Sequence, residues 1–571
     1  MFSASYSLGE HDGKGEGEQL VVADTVIYNG RIMVQDGRGT IVAALATKGE
    51  RVLATGTSEQ VRFLGGPATR FTDLEGRTVL PGFIDAHTHF ISAGLRRLAI
   101  DLGHDSGTRS VGDILGKIRE AAAKAQPGKW VRGTNYDQYQ LRELRHPLRR
   151  ELDEVAPDNP VVLYHYSGHA YACNSMALER AGIGPETPDP KGGVIERVDG
   201  ELTGLLKDTA QELIRPVNTY TLQELERGLR DVDEYFLSHG VTTTEDMWVA
   251  DSPEDEAIRC LLSMISGGRV KTRIVKTLTG GANPEAIGNL YLETGLATGF
   301  GNDCFRLGAY KIFLDGTPEV ATAALDEPYA AEPGTKGLLC LTEEEFGQAV
   351  REARSRGWQF SAHVIGERAV RVALDAFESC EKEIGHSLPL TRTRYPYRLE
   401  HVSYVNPSDF GRFARLGVQP VVNPVFIGGY SQAYDDYVGG GEERQRMMDP
   451  VKSFIALGLL AAVGSDCPVC SVNPFLGIEP AITRRTCDGR LRNPSEAVSL
   501  DEILRMYTYN GAVATGEEDR KGSLEPGKLA DFVILSRDLE AIPLGELSTI
   551  GVDVTVVGGE TVFTRDSGQE G

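Results

Sequence analysis

The 571-residue chain has a formal net charge of -23, with 41% hydrophobic and 25% charged residues. It reads as a soluble globular protein too long for one small core. The acidic excess argues against a nucleic-acid surface or an anionic membrane as partner, and the longest apolar run, near Ile455 to Val463, is too short to cross a bilayer.

Residues 1–18, rich in Gly, Glu and Ser, are expected to form a disordered leader. No basic segment followed by an apolar one marks a secretory signal. The eight cysteines show no framework spacing, which predicts a reducing, cytoplasmic location. From Ala23 to Leu80, short β-rich runs alternate with turns, the Asn29-Gly30 pair being hairpin chemistry. Similar strands recur near the other end, in G-K-L-A-D-F-V-I-L and V-T-V-V-G-G-E-T-V-F. The two ends together predict one small β-sandwich from residues 19–80 and 518–565.

The stretch V-L-P-G-F-I-D-A-H-T-H-F, Val79 to Phe90, follows. It reads as a short buried strand with His87 and His89 at its carboxyl end. Side chains two apart in extended backbone share a face, so both imidazoles could meet one metal ion. Two surface histidines would give the same spacing. Residues 101–215 are far too long for a βα connection and are read as an inserted cap domain. Within it, S-G-H-A-Y-A-C-N-S offers His169 and Asn174 as groups reaching toward a substrate. Alternatively, His169 satisfies a buried polar group inside the cap.

Helices and strands then alternate. Capping boxes at Thr221–Glu224, Thr342–Glu345 and Ser499–Glu502 start helices, and helices feeding short buried strands imply parallel βα units. Strands are expected to end near His89, Asp246, Leu278, Asp315, His363, His401, Asn423 and Asp466. Eight such units predict an α/β fold of the (β/α)8, TIM-like barrel type over residues 81–100 and 216–517, its site at the strands' carboxyl ends. An open doubly wound sheet fits less well, because no glycine-rich phosphate turn follows the first strand.

Four of only 11 histidines, 87, 89, 363 and 401, thus fall at predicted strand ends, and Asp466 joins them. Lys311 lies inside L-G-A-Y-K-I-F-L-D-G, where burial would favour the neutral amine. A neutral amine can add carbon dioxide to give a carbamate, an anionic oxygen ligand able to bridge two cations; a lysine paired with Asp315 or Glu245 is the alternative. Phe90 and Trp248 could supply an apolar wall or simply pack. Cys467 and Cys470 form a nominal redox C-P-V-C, discounted because it adjoins Asp466.

P-G-F-I-D-A-H-T-H with a later H, H and S-D resembles the metal-dependent amidohydrolase superfamily. The early insertion, S-G-H-A-Y-A-C-N-S-M-A-L, K-I-F-L-D-G-T, A-H-V-I-G-E-R-A, R-L-E-H and G-S-D-C-P-V are similar to amidohydrolase family 3, the branch including N-substituted formamide deformylases. The resemblance implies that His87 and His89 bind one metal and His363 and His401 a second, bridged by carbamylated Lys311. Asp466 would touch the first metal and shuttle protons. It further implies zinc, with manganese or iron as alternatives, and a small-molecule substrate whose non-peptide C–N amide bond, in an N-acyl or N-formyl amine, is cleaved by metal-activated hydroxide. A cyclic-amide hydrolase or a deaminase would use the same parts, and a scaffold without metals belongs to a different class. A homodimer is left open.

Overall fold

The computed structural model describes residues 21–247, 256–279, 295–384, 393–429, 438–439 and 441–565. The expected leader at 1–18 and Trp248 lie outside these residues.

A sheet of eight parallel strands forms the centre. They are β1 (Phe83–Thr88), β2 (Val241–Asp246), β3 (Arg273–Thr279), β4 (Phe305–Phe313), β5 (Phe360–Val364), β6 (Tyr397–His401), β7 (Val418–Val422) and β8 (Ala462–Val463). Each pairs with its neighbour in chain order. The last strand is only two residues long, yet the seam closes. The Asp466 N–H donates to the His87 carbonyl at 2.8 Å, and Ser465 N–H donates to Asp85 Oδ1 at 2.9 Å. Gly464 is required there, since a Cβ on it would lie 2.3 Å from His87 Cβ. The result is a (β/α)8 barrel with its strands buried on both faces, as parallel strands under helices must be.

All three expected capping boxes form. The helix Leu222–Ser238 buries Leu225, Leu229, Val232 and Phe236, a 3.6-residue stripe facing the barrel. Gly240 ends it with a φ of +79°, and β2 begins immediately. Beneath the site the barrel interior is polar. Arg398 is wholly buried and donates to Glu245, to Glu400 and to the Ala86 carbonyl. A charge so placed persists only when its partners satisfy it.

Strands from both ends of the chain share one six-stranded sheet. Arg31–Met33 pairs with Thr78–Pro81, which pairs in turn with Phe532–Leu535, and that strand pairs with Val552–Val557. A four-stranded sheet containing Ala23–Tyr28 accompanies it. The segment between β1 and β2 builds a separate six-stranded sheet, from Ile100–Asp101 to Glu201–Asp208 and Gly193–Val198. Its hydrophobic cluster includes Ile114, Ile118, Leu152 and Leu163. Among the described residues no helix is long and apolar enough to cross a membrane.

Candidate metal centre

The carboxyl ends of β1, β4, β5 and β6, with the turn after β8, converge on one point. His87 Nε2 and His89 Nε2 lie 3.4 and 3.2 Å from Asp466 Oδ1. These ligating atoms all fall within 4.8 Å of one another. Lys311 Nζ approaches His87 Nε2 at 3.2 Å. The His401 ring centroid is 4.6 Å from that of His87 and 4.5 Å from that of His363. Lys311, His401 and His363 thus stand beside the group formed by His87, His89 and Asp466.

In three of the four rings the outward nitrogen is already committed, which fixes the other as a lone pair facing inward. His87 Nδ1–H donates to Glu400 Oε2 at 2.7 Å. His401 Nδ1–H donates to Asn423 Oδ1 at 2.9 Å, and the Asn423 amide is oriented by donating to the Gly464 carbonyl. His363 Nε2–H donates to the Gly316 carbonyl at 3.2 Å. Burial holds His87, His363 and His401 well below the ordinary histidine value, so they stay neutral. Burial pushes Asp466 upward, but His89, His87 and Lys311 outweigh it and hold the carboxyl at about 2. Burial also lowers the Lys311 amine to about 8.

Asp466 Oδ1 is buried and, for all its near neighbours, makes no aligned hydrogen bond. Neutral imidazoles gathered beside an anionic oxygen form a donor set for a divalent transition cation. The residues present fit such an ion. Local backbone is strained to present them: Asp466, His401 and the β-branched Val402 have φ of +60°, +71° and +51°. Such conformations cost ~1–3 kcal/mol each and gather at functional sites.

Over the centre lies a cavity of about 370 Å³, roofed by the inserted sheet. His169 lines it and donates from Nδ1 to Asp208 Oδ1 at 2.7 Å, its ring 5.4 Å from that of His363. Burial pulls His169 down, but Asp208 more than compensates and raises it above its ordinary value. Two expectations are corrected. Asn174 does not reach the cavity; its amide accepts from Val161 N–H and Ala177 N–H and donates to the Asn159 carbonyl, capping the helix Ser175–Arg180. Phe90 is wholly buried, its ring packed edge-on against Phe236 5.1 Å away. Nor does Lys311 pair with Asp315, which accepts instead from the N–H groups of Ala324, Ile365 and Gly366. Sequence reasoning missed Glu400, Asn423 and Asp208 as supports. Glu400 stands inside R-L-E-H, where a carboxylate beside a ligand histidine was the available signal.

The amidohydrolase family model matches residues 70–563. The chain belongs to the amidohydrolase family. This amidohydrolase is 31% identical over 550 residues to the N-substituted formamide deformylase of Arthrobacter pascens, covering 95% of this chain and 98% of that one. It is 30% identical to the putative amidohydrolase YtcJ of Bacillus subtilis, covering 90% and 94%. An uncharacterised metal-dependent hydrolase from Pyrococcus horikoshii superposes with a TM-score of 0.73 at 26% identity, covering 91% of this amidohydrolase and 99% of that chain. The family makes it a metal-dependent hydrolase of carbon–nitrogen bonds.

Proposed function

We propose that the protein hydrolyses the C–N bond of a small N-acyl or N-formyl amine, with zinc held by His87, His89 and Asp466. His363, His401 and Lys311 complete the ligand set, Lys311 as its carbamate. The observation that carries the proposal is the convergence of His87 Nε2, His89 Nε2 and Asp466 Oδ1 within 4.8 Å. They meet at the carboxyl ends of barrel strands, at the base of a cavity. Likeness to the Arthrobacter deformylase supports the choice of substrate.

A divalent ion bound there lowers the pKa of water toward ~7 and polarises a carbonyl oxygen. The remaining work falls to side chains. Asp466, ionised and mostly buried at the cavity, accepts the proton released from the attacking water and returns it to the departing nitrogen. The neutral histidines supply lone pairs without adding charge. His169, oriented by Asp208, presents its other nitrogen to the cavity, where it can hold a substrate carbonyl or amide. The products are an amine and a carboxylic acid. Eight free cysteines support a reducing, cytoplasmic setting.

Metal analysis combined with a panel of N-formyl amines, N-acetyl amines, cyclic imides and aminated heterocycles tests the assignment. Zinc near stoichiometry, and formate or acetate released together with free amine, is the expected result. Turnover confined to the imides or heterocycles would move the reaction elsewhere in the family.

A further inference from the structure

Arg96 closes α1 (Phe90–Arg96), the helix that follows the two ligand histidines of β1. Its side chain belongs to the wall of the catalytic cavity, together with Tyr164, Gly168, His169 and Tyr171. The residue is only 8% exposed. Its guanidinium lies over the face of the Tyr164 ring, 5.6 Å from the centroid. It also touches the turn carrying His169, since a Cβ on Gly168 would lie 3.6 Å from Nη2. Nη1 is sealed from solvent and has no hydrogen-bond partner, and among the described residues no carboxylate pairs with the group.

Other buried guanidinium groups in the protein have acceptors, whether carboxylates or, as for Arg484 and Arg354, backbone carbonyls. Arg398 holds Glu245 and Glu400, and Arg273 holds Asp531 with two bonds. A buried cation without an anion is costly by several kcal/mol. The ring of Tyr164 offsets part of that cost but supplies no acceptor in the guanidinium plane. What is missing is a planar acceptor with two oxygens, the partner a guanidinium fork matches best.

We propose that Arg96 is a specificity-determining residue that binds a carboxylate on the substrate, remote from the scissile bond. This rests on the cavity being the hydrolytic site of the proposed function. The substrate is then an N-acyl or N-formyl amine whose amine portion carries an acid group. That group lies along the Tyr164 and Gly168 wall, while the amide reaches the histidines and Asp466. Excess negative charge over the whole protein does not oppose this, because exposed charges beyond about 10 Å are largely screened at ordinary salt.

The test has a binding arm and a turnover arm, both on the metal-loaded full chain. Benzenesulfonate, a weak metal ligand with the same anionic fork, is titrated by calorimetry against the neutral benzenesulfonamide. Wild type is expected to bind the sulfonate preferentially, and Arg96→Met to weaken it about 10- to 100-fold, the worth of one charge-assisted contact. Arg96→Lys should recover part of the loss. In the turnover arm, 4-(formamidomethyl)benzoate is compared with its methyl ester. Arg96→Met should lower kcat/KM for the acid by a similar factor and clearly more than for the ester, with equal metal content. Failure of wild type to bind the sulfonate overturns the proposal, whatever the folding of the variants, as does an equal loss on acid and ester. If Arg96-dependent binding is seen but neither formamide is cleaved, the anion site stands and the formamide reading falls.

Discussion

Glu400 Oε2 accepts from His87 Nδ1 at 2.7 Å, while its other oxygen takes Ser361 Oγ–H at 2.6 Å and the guanidinium of Arg398. The carboxylate is thus pinned by two other side chains and orients a ring that faces the metal centre. Its hydrogen bond fixes the tautomer and raises the basicity of Nε2. Partners of this kind typically carry 10- to 100-fold of metal affinity or activity. Glu400→Gln should therefore weaken zinc retention by about that factor. Competition against a chelator at fixed free zinc measures it, and unchanged retention would show that His87 needs no orienting partner.

In the proposed mechanism Asp466 both holds the metal and moves a proton. Asp466→Asn keeps an oxygen in the same place but cannot take up the proton of the attacking water. Turnover should fall by about 10²–10⁴-fold, with zinc content largely preserved. Stopped turnover together with lost metal would instead assign Asp466 a purely ligating role.

The barrel was legible because its signals are local, and the candidate ligands were placed by the same local signals. Each ligand follows a short apolar run, and the strand ends predicted near Asp246, His363 and His401 agree with β2, β5 and β6. β4 stops at Phe313 instead, and Asp315 turns to receive three backbone N–H groups. The supports of the ligands were not legible. Glu400 reaches His87 across 313 positions, and such a pairing depends on strand register and rotamers that one sequence does not display. Phe90 and Asn174 misled for a related reason. An aromatic or an amide near a motif has the same letter whether it points into the cavity or away from it.

Asn174 supplies a stability prediction. Its amide satisfies the Val161 and Ala177 N–H groups and the Asn159 carbonyl, all in a buried setting. Asn174→Ala removes a helix cap, worth ~1 kcal/mol, and strands buried polar groups at a further ~1–3 kcal/mol. Thermal unfolding should shift down by several degrees while kcat/KM at low temperature changes little. A large loss of kcat/KM without loss of stability would return Asn174 to the binding site.

Acid should loosen the inserted sheet. Burial lowers His146 to about 4 and His165 well below its ordinary value, and their rings lie 5.7 Å apart. Both are neutral when folded, whereas the unfolded chain takes up protons near pH ~6.5. Their contribution is therefore intact above pH ~6.5 and is lost as pH falls toward 4, approaching ~1.4 kcal/mol per pH unit for each histidine. Asp85 and Asp315, raised by burial to about 7, act in the opposite sense. The informative quantity is consequently the difference between wild type and His146→Gln in denaturant melts from pH 7.5 to 4.5. The variant's stability should fall less steeply with acid, and parallel curves would remove His146 as a titrating group.

Lys311 is wholly buried on β4, and its Nζ has a neutral imidazole nitrogen of His87 at 3.2 Å as its near neighbour. An ammonium there faces the lone pairs of His87, but it also repels a divalent cation held by the same atoms. Conversion to a carbamate replaces one positive charge with one negative charge at that point, a change that favours cation binding. Lys311→Ala should therefore lose most of the bound metal. A short carboxylate such as propionate, small enough for the space left by the side chain, should restore metal and part of the turnover. Loading metal-free wild type in carbon-13 bicarbonate should give a carbamate carbon signal that the variant lacks. Full metal occupancy in Lys311→Ala without added acid, together with no carbamate signal in wild type, would leave Lys311 as a plain buried amine and the centre as a set of histidines and Asp466 alone.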